Sequence, residues 1–144
     1  MASRAYKIAL SRATTGLQRP FFYFPGYRQD MADGKAGISI FKSRMVTLPY
    51  TLDLVERHPD GSQAFVPMSA DPFLVIVATD DNGEPKDPVA FETTPGQAIN
   101  FHRGTWHGVL TPLSTPGLFA VVDRIGDGAN LEEFWFKEPY IVEN

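Results

Sequence analysis

No cysteine occurs among the 144 residues. Disulfides and thiolate ligands are therefore excluded, and any bound metal must be held by nitrogen and oxygen. Histidine is scarce, with three copies, at His58, His102 and His107. An excess of positive charge is missing too: 13 basic against 17 acidic residues leave a formal charge of -4. Without a dense basic cluster, nucleic acid is not an expected partner. The longest strongly apolar run, Phe73 to Ala78, is far too short to span a bilayer, so no membrane partner is expected. There is no repeat, heptad seam, low-complexity segment or dividing linker. The length then predicts one domain over residues 1–144.

From Met1 to Tyr27 the chain carries Arg4, Lys7, Arg12 and Arg19 and no acid. That composition resembles a transit peptide, but no apolar signal core or small-residue cleavage pattern follows. A basic first strand and surface loop in a cytoplasmic protein is the simpler expectation.

What is abundant is punctuation. Twelve prolines and twelve glycines separate short, β-prone runs. Strands are predicted over Tyr6–Leu10, Gly37–Lys42, Phe73–Ala78, Val89–Glu92 and Leu118–Arg124, and Met45–Leu54 leads into the first of the two stretches that carry chemistry. Phe73–Ala78 is nearly continuously apolar, as in a strand covered on both faces, and Asp80-Asp81-Asn82-Gly83 ends it as a turn. The aromatic run Phe21–Phe24 suits core or a contact between copies. Leu131–Phe136 fits either a helical turn or a final strand. Many short strands with turns between them argue for a sandwich or barrel.

The chemistry concentrates in two stretches, Leu54–Ala70 and Pro95–Leu113. Glu56 and His58 are two apart, so an extended strand projects both from one face and sets a carboxylate beside an imidazole. His58-Pro59-Asp60-Gly61 is turn-forming, and Ser62–Val66 can return as a strand that brings Gln63 near the pair. His58 either caps a hairpin end or is functional, and the neighbouring carboxylate favours function, because it would fix an imidazole's tautomer or join it on a metal. In the second stretch His102 and His107 are five apart, and simple alternation does not place them on one face unless the turn at Gly104 resets the phase. His107 beside Trp106 is either a packed core pair or part of the site. Trp106 and Phe65 read as barrel wall. A substrate carboxylate calls for a guanidinium. Arg57, between two inward-facing positions, should point outward, which leaves Arg103 or Arg124.

Glu56, His58 and Gln63, followed by Gly96, Gly104 and His107, resemble in spacing the two motifs of the cupin superfamily. Glu56 stands for the first histidine of that pattern and Gln63 for its glutamate. His58 and His107 match. The words are more specific than the spacing. Glu56-Arg57-His58-Pro59, Gly61-Ser62-Gln63-Ala64-Phe65-Val66-Pro67-Met68, Asn100-Phe101-His102-Arg103-Gly104-Thr105-Trp106-His107 and Val122-Asp123-Arg124 resemble the ureidoglycolate lyase family, over about Gly37 to Gly126. Two departures stand out: Gly108 replaces a second histidine usual after the Trp-His pair, and the N-terminal third is unlike the family's opening.

The resemblance implies an all-β, cupin-like double-stranded β-helix, a jelly-roll barrel with little helix and a site inside its mouth. It implies release of urea and glyoxylate from ureidoglycolate, a step of allantoin and purine breakdown, in a homodimer. Nickel or another divalent metal would sit on His58, His107, Gln63 and Glu56, and no organic cofactor is needed. Elimination from this carbinolamine requires a base for the hydroxyl proton and an acid for the departing nitrogen. His58, oriented by Glu56, and His107 are the expected pair, because imidazoles titrate near neutrality. Gln63, His102 and Arg103 or Arg124 are the expected substrate contacts. Two alternatives remain open: a cupin enzyme for another small 2-oxo or 2-hydroxy acid, prompted by Gly108 and the N-terminus, and a non-catalytic sensor of a small carboxylate.

Overall fold

The computed structural model describes residues 5–7 and 34–143. Strand β1 is Ala5–Lys7, β2 Lys35–Lys42, β3 Tyr50–Arg57, β4 Gln63–Pro67, β5 Phe73–Asp81 and β6 Glu84–Glu92. They are followed by β7 Ile99–Phe101, β8 Trp106–His107, β9 Thr111–Pro112, β10 Leu118–Ile125 and β11 Glu132–Glu143. Among the described residues there is no helix, and so none long and apolar enough to cross a membrane. Of the expected Tyr6–Leu10 strand, residues 8–10 lie outside the described residues, as does the Phe21–Phe24 run.

The strands form two sheets, one ordered β1-β11-β3-β8-β5-β6 with β9 also on β5, the other β2-β10-β4-β7. Every pairing is antiparallel except β1 with β11. Strands β11 and β6 of the first sheet touch one another, so that sheet is curled, and the two together make the all-β, cupin-like half-barrel.

The continuous apolar run of β5 shows why. Phe73, Leu74, Val75 and Ile76 are all buried, and alternation sends them to different cores. Leu74 and Ile76 join Leu52, Val55, Trp106 and Val142. Phe73 and Val75 join Phe65, Phe101, Phe119 and Val121, which come from the second sheet. The expectation of a strand covered on both faces is met. The turn after it is tighter than Asp80–Gly83: the ladder runs to Asp81–Glu84. Asn82 and Gly83, with φ of 55° and 91°, make the two-residue loop that fits strand twist.

The ambiguous Leu131–Phe136 becomes part of a twelve-residue final strand. Its pairing with β3 is interrupted between Trp135 and Tyr140, around Pro139, which has no N–H to give a ladder. That break is why the run did not read as one strand.

Candidate functional site

Three strands and two turns converge on one end of the gap between the sheets. Glu56 lies near the end of β3 and pairs in register with His107 of β8, so their side chains leave the same face. His58 follows two residues later, also on that face. The chain then changes sheets at His58-Pro59-Asp60-Gly61. Strand β4 does not return along β3 but pairs with β10 and β7. Gln63, the first residue of β4, therefore meets Glu56 and His58 from the opposite sheet.

Glu56, His58 and His107 each offer a ligand atom, all within 4.8 Å of one another, and they form the one such carboxylate–imidazole group among the described residues. His102 is not a member. It and Arg103 are exposed on the turn between β7 and β8. Gly104 in that turn has φ of 75°, and its N–H donates to the His58 carbonyl at 2.9 Å, tying the two motif stretches together. A Cβ at Gly104 would meet nothing within 4 Å, so Gly104→Ala tests backbone strain alone. It should cost about 1–2 kcal/mol, read as a lower denaturation midpoint with an unchanged slope; no loss would mean the left-handed turn is not needed.

The two imidazoles are set alike. His58 Nδ1 is 2.7 Å from the Asn130 carbonyl and His107 Nδ1 is 3.0 Å from the Gly108 carbonyl. A carbonyl only accepts, so each Nδ1 carries hydrogen, and in the neutral ring each Nε2 keeps its lone pair. Both Nε2 atoms, with Gln63 Oε1, are buried without a hydrogen-bond partner. The Glu56 carboxylate stands 3.8 Å from His58 Nε2, too far for a hydrogen bond but close enough to act through charge.

Charge and burial separate the two rings. Burial lowers the His107 pKa to about 4 against the weaker upward pull of the Gly108 carbonyl and Glu56. His107 is thus neutral at pH 7. It is held between Phe101, stacked at 4.1 Å, and Phe65, edge-on at 5.8 Å. Burial pushes His58 down as well, but Glu56, the Asn130 carbonyl and Gln63 outweigh it, and its pKa is raised. Glu56 is held below its ordinary value because the two histidines outweigh its own desolvation.

A cavity of about 280 Å³ opens beside this group, with Glu56 and Gln63 at its polar side and Phe41, Phe65, Leu110 and Val121 on its apolar side. Lys42 and Ser43 also line it, and neither carried a motif that would have marked it in the sequence. Arg57 points away from the cavity, as alternation predicts: its guanidinium engages Asp80 at 2.7 Å and Glu132 at 2.6 Å and lies 4.4 Å from the Trp106 ring centre. Arg124 donates to the Asp127 carbonyl at 3.2 Å. Its Cβ lies where a side chain at Gly61 would come within 2.7 Å, so its stem packs on the turn after His58. Trp106 and Phe65 are core, as expected.

Gly108, the departure in the second motif, is buried, donates to the Ile76 carbonyl at 2.9 Å, and would place a Cβ 3.2 Å from that of Ile76. Any side chain there requires β5 to give.

The donor set fits a divalent cation. It offers two neutral-capable imidazole nitrogens with anchored Nδ1–H groups, one ionised carboxylate and one buried amide oxygen, an acceptor-only cluster of borderline and hard ligands.

The family model for ureidoglycolate lyase matches residues 12–143. Ureidoglycolate lyase 2 of Rhizobium meliloti is 54% identical over 106 residues, which cover 74% of this chain and 65% of that protein. Ureidoglycolate lyase of Rhodobacter capsulatus is 57% identical over 112 residues, 78% of this chain and 70% of that protein. A third, from Chelativorans sp., is 56% identical over 105 residues, 73% and 64%. The matched chain spans about two thirds of the length of these relatives. With a family match over nearly its whole length and identity above one half to these proteins, the chain belongs to the ureidoglycolate lyase family.

Proposed function

We propose that the protein is a ureidoglycolate lyase, eliminating urea from ureidoglycolate to leave glyoxylate. The observation that carries the reading is the convergence of Glu56, His58 and His107 within 4.8 Å in a chain of this family. The reaction needs no oxidant or nucleophile. The hydroxyl proton leaves, the carbon–oxygen bond becomes a carbonyl, the carbon–nitrogen bond breaks, and the departing nitrogen gains a proton. His58, with Nδ1 held by the Asn130 carbonyl and Nε2 facing the Glu56 carboxylate, is placed to move that proton. His107, neutral and buried, is an acceptor rather than an acid at neutral pH. Gln63 offers its unsatisfied carbonyl oxygen to the N–H groups of the ureido moiety. The candidates for the substrate carboxylate are Lys42, which lines the cavity, together with Arg103, Arg124 and His102.

A second reading rests on the same orphaned nitrogens: Glu56, His58, His107 and Gln63 hold a divalent cation such as nickel. Bound there, it would supply Lewis-acid polarisation of the substrate hydroxyl. Chelation separates the two readings. Under the second, dialysis against a chelator abolishes turnover and added nickel restores it. Full activity after chelation leaves His58 as the acid/base group.

The proposal includes a cytoplasmic homodimer. Edge strand β2 presents Ile38 and Ile40, 73% and 61% exposed, on its outward face, the kind of surface and edge that proteins cover. A monomeric mass in sedimentation would remove that part.

The first test is incubation with racemic ureidoglycolate, following urea and glyoxylate against the spontaneous background, with and without nickel. Equal, accelerated release of both supports the lyase. Ammonia in place of urea would indicate hydrolysis of the ureido group, and no acceleration by folded protein would move the search to other 2-oxo and 2-hydroxy acids.

A further inference from the structure

We propose that Asn130 is the positioning residue of His58, gripping the turn that carries it at two points. Its main-chain carbonyl accepts the His58 Nδ1–H at 2.7 Å, and its side-chain Oδ1 accepts the Asp60 N–H at 2.7 Å. Between those two contacts lies Pro59, which has no N–H of its own. The side-chain bond therefore holds the carbonyl in the one place from which it fixes the imidazole.

The grip comes from 70 to 72 residues away in sequence, and strand register delivers it. Glu132, two residues after Asn130, is the Cα partner of Arg57, and the Arg57 guanidinium closes on the Glu132 carboxylate at 2.6 Å. The start of β11 is thus locked beside the end of β3, and continuing that register sets Asn130 opposite Pro59, between His58 and Asp60. The other end of the loop is held by the Asp127 carbonyl, which accepts from Arg124. Among the described residues nothing comparable serves His107, whose carbonyl partner belongs to the next residue, Gly108. Of the two imidazoles, only His58 depends on a distant loop for its tautomer.

The inference rests on the reading that His58 works through Nε2, as a proton carrier or as a ligand. With Nδ1–H anchored, Nε2 is the atom aimed at Glu56 and His107. Unanchored, the ring can exchange tautomers and present an N–H to the same space, which suits neither role.

The test uses the full chain with ¹⁵N-labelled histidine, observed by long-range proton–nitrogen correlation at a pH where both imidazoles are neutral. Wild type is expected to show His58 and His107 each as a single Nδ1–H tautomer. In Asn130→Ala, and in Asn130→Ser, whose oxygen is one bond short of Asp60, the His58 signals should move to positions averaged between tautomers while those of His107 stay. Asn130→Asp retains the acceptor and should restore the wild-type pattern. Nickel affinity by calorimetry should weaken about 10- to 100-fold in the alanine variant and recover in the aspartate variant. A His58 that remains a single Nδ1–H tautomer in both shortened variants overturns the proposal, as does an Asn130→Asp spectrum like that of alanine. If wild type neither takes up nickel nor turns over ureidoglycolate, the functional reading fails while the tautomer comparison still decides the role of Asn130.

Discussion

Replacing His58 by alanine is expected to lower ureidoglycolate turnover by about 10²- to 10⁴-fold, the range for loss of a positioned acid or base, with little change in stability. The ring is partly exposed and sits at a turn, and what it gives up is one hydrogen bond to Asn130. The carbonyl it leaves lies on a surface loop where water can replace the donor, so the stability cost is about 1 kcal/mol. His107→Ala should lose a comparable share of turnover and also destabilise. That ring is 1% exposed and fills the space between Phe101 and Phe65. Deleting large buried side chains costs about 2–5 kcal/mol, but Nε2 of His107 is itself a buried atom without a partner. Removing it relieves part of that cost, so the lower end of the range is expected. The pair of variants separates chemistry from folding: His58→Ala is folded and inactive, His107→Ala is inactive and softened. Steady-state rates near wild type in both, on a substrate whose spontaneous decay has been subtracted, would remove these residues from the reaction.

Much of this site could be read from local pattern because local pattern made it. Glu56 and His58 share a face for no reason beyond strand alternation, whereas the left-handed Gly104 does not bring His102 to the face of His107: His102 stays exposed on the turn, outside the group. The two-sided burial of Phe73 to Ile76 likewise follows from a run with no polar residue in it. What escaped depends on pairing between distant segments. The sequence around Pro59 and Gly61 reads as a turn, yet nothing in it distinguishes a hairpin from a change of sheet; the ladders of β4 with β10 and β7 make that choice. Asn130 lies in a loop of glycines and small residues with no motif, and it reaches His58 only because Glu132 falls in register with Arg57. Lys42 and Ser43 come to the cavity through the β2–β10 pairing. Arg124 was singled out by charge, and the packing of its stem on Gly61 had no signature in composition or spacing.

The largest loss of stability is expected from Trp106→Ala, at about 3–5 kcal/mol. Trp106 is 2% exposed and packs among Leu52, Val55, Leu74 and Ile76, with Phe134 edge-on at 6.3 Å. Its indole is also the point at which four strands meet. The Nε1–H donates to Asp80 of β5 at 2.8 Å, Arg57 of β3 lies over the ring, and the same guanidinium bridges Asp80 to Glu132 of β11. The polar half of this arrangement is partly exposed, and exposed ion pairs contribute little. The ring packing dominates. Trp106→Phe keeps most of that packing and removes the donor; Asp80 retains Arg57 and access to water, so the cost is about 1 kcal/mol. Arg57→Ala removes the cation from the ring face, worth about 0.5–1 kcal/mol, along with both ion pairs, and its effect should shrink in high salt while that of Trp106→Ala does not. Denaturant unfolding of the three variants at low and high salt checks the ranking. If Trp106→Phe cost as much as Trp106→Ala, the stability would reside in the Asp80–Arg57–Glu132 network rather than in the apolar core. Since Trp106 adjoins His107 and Arg57 lies between Glu56 and His58, the outer face of these strands would then hold the face that carries Glu56, His58 and His107 through charge and not through packing.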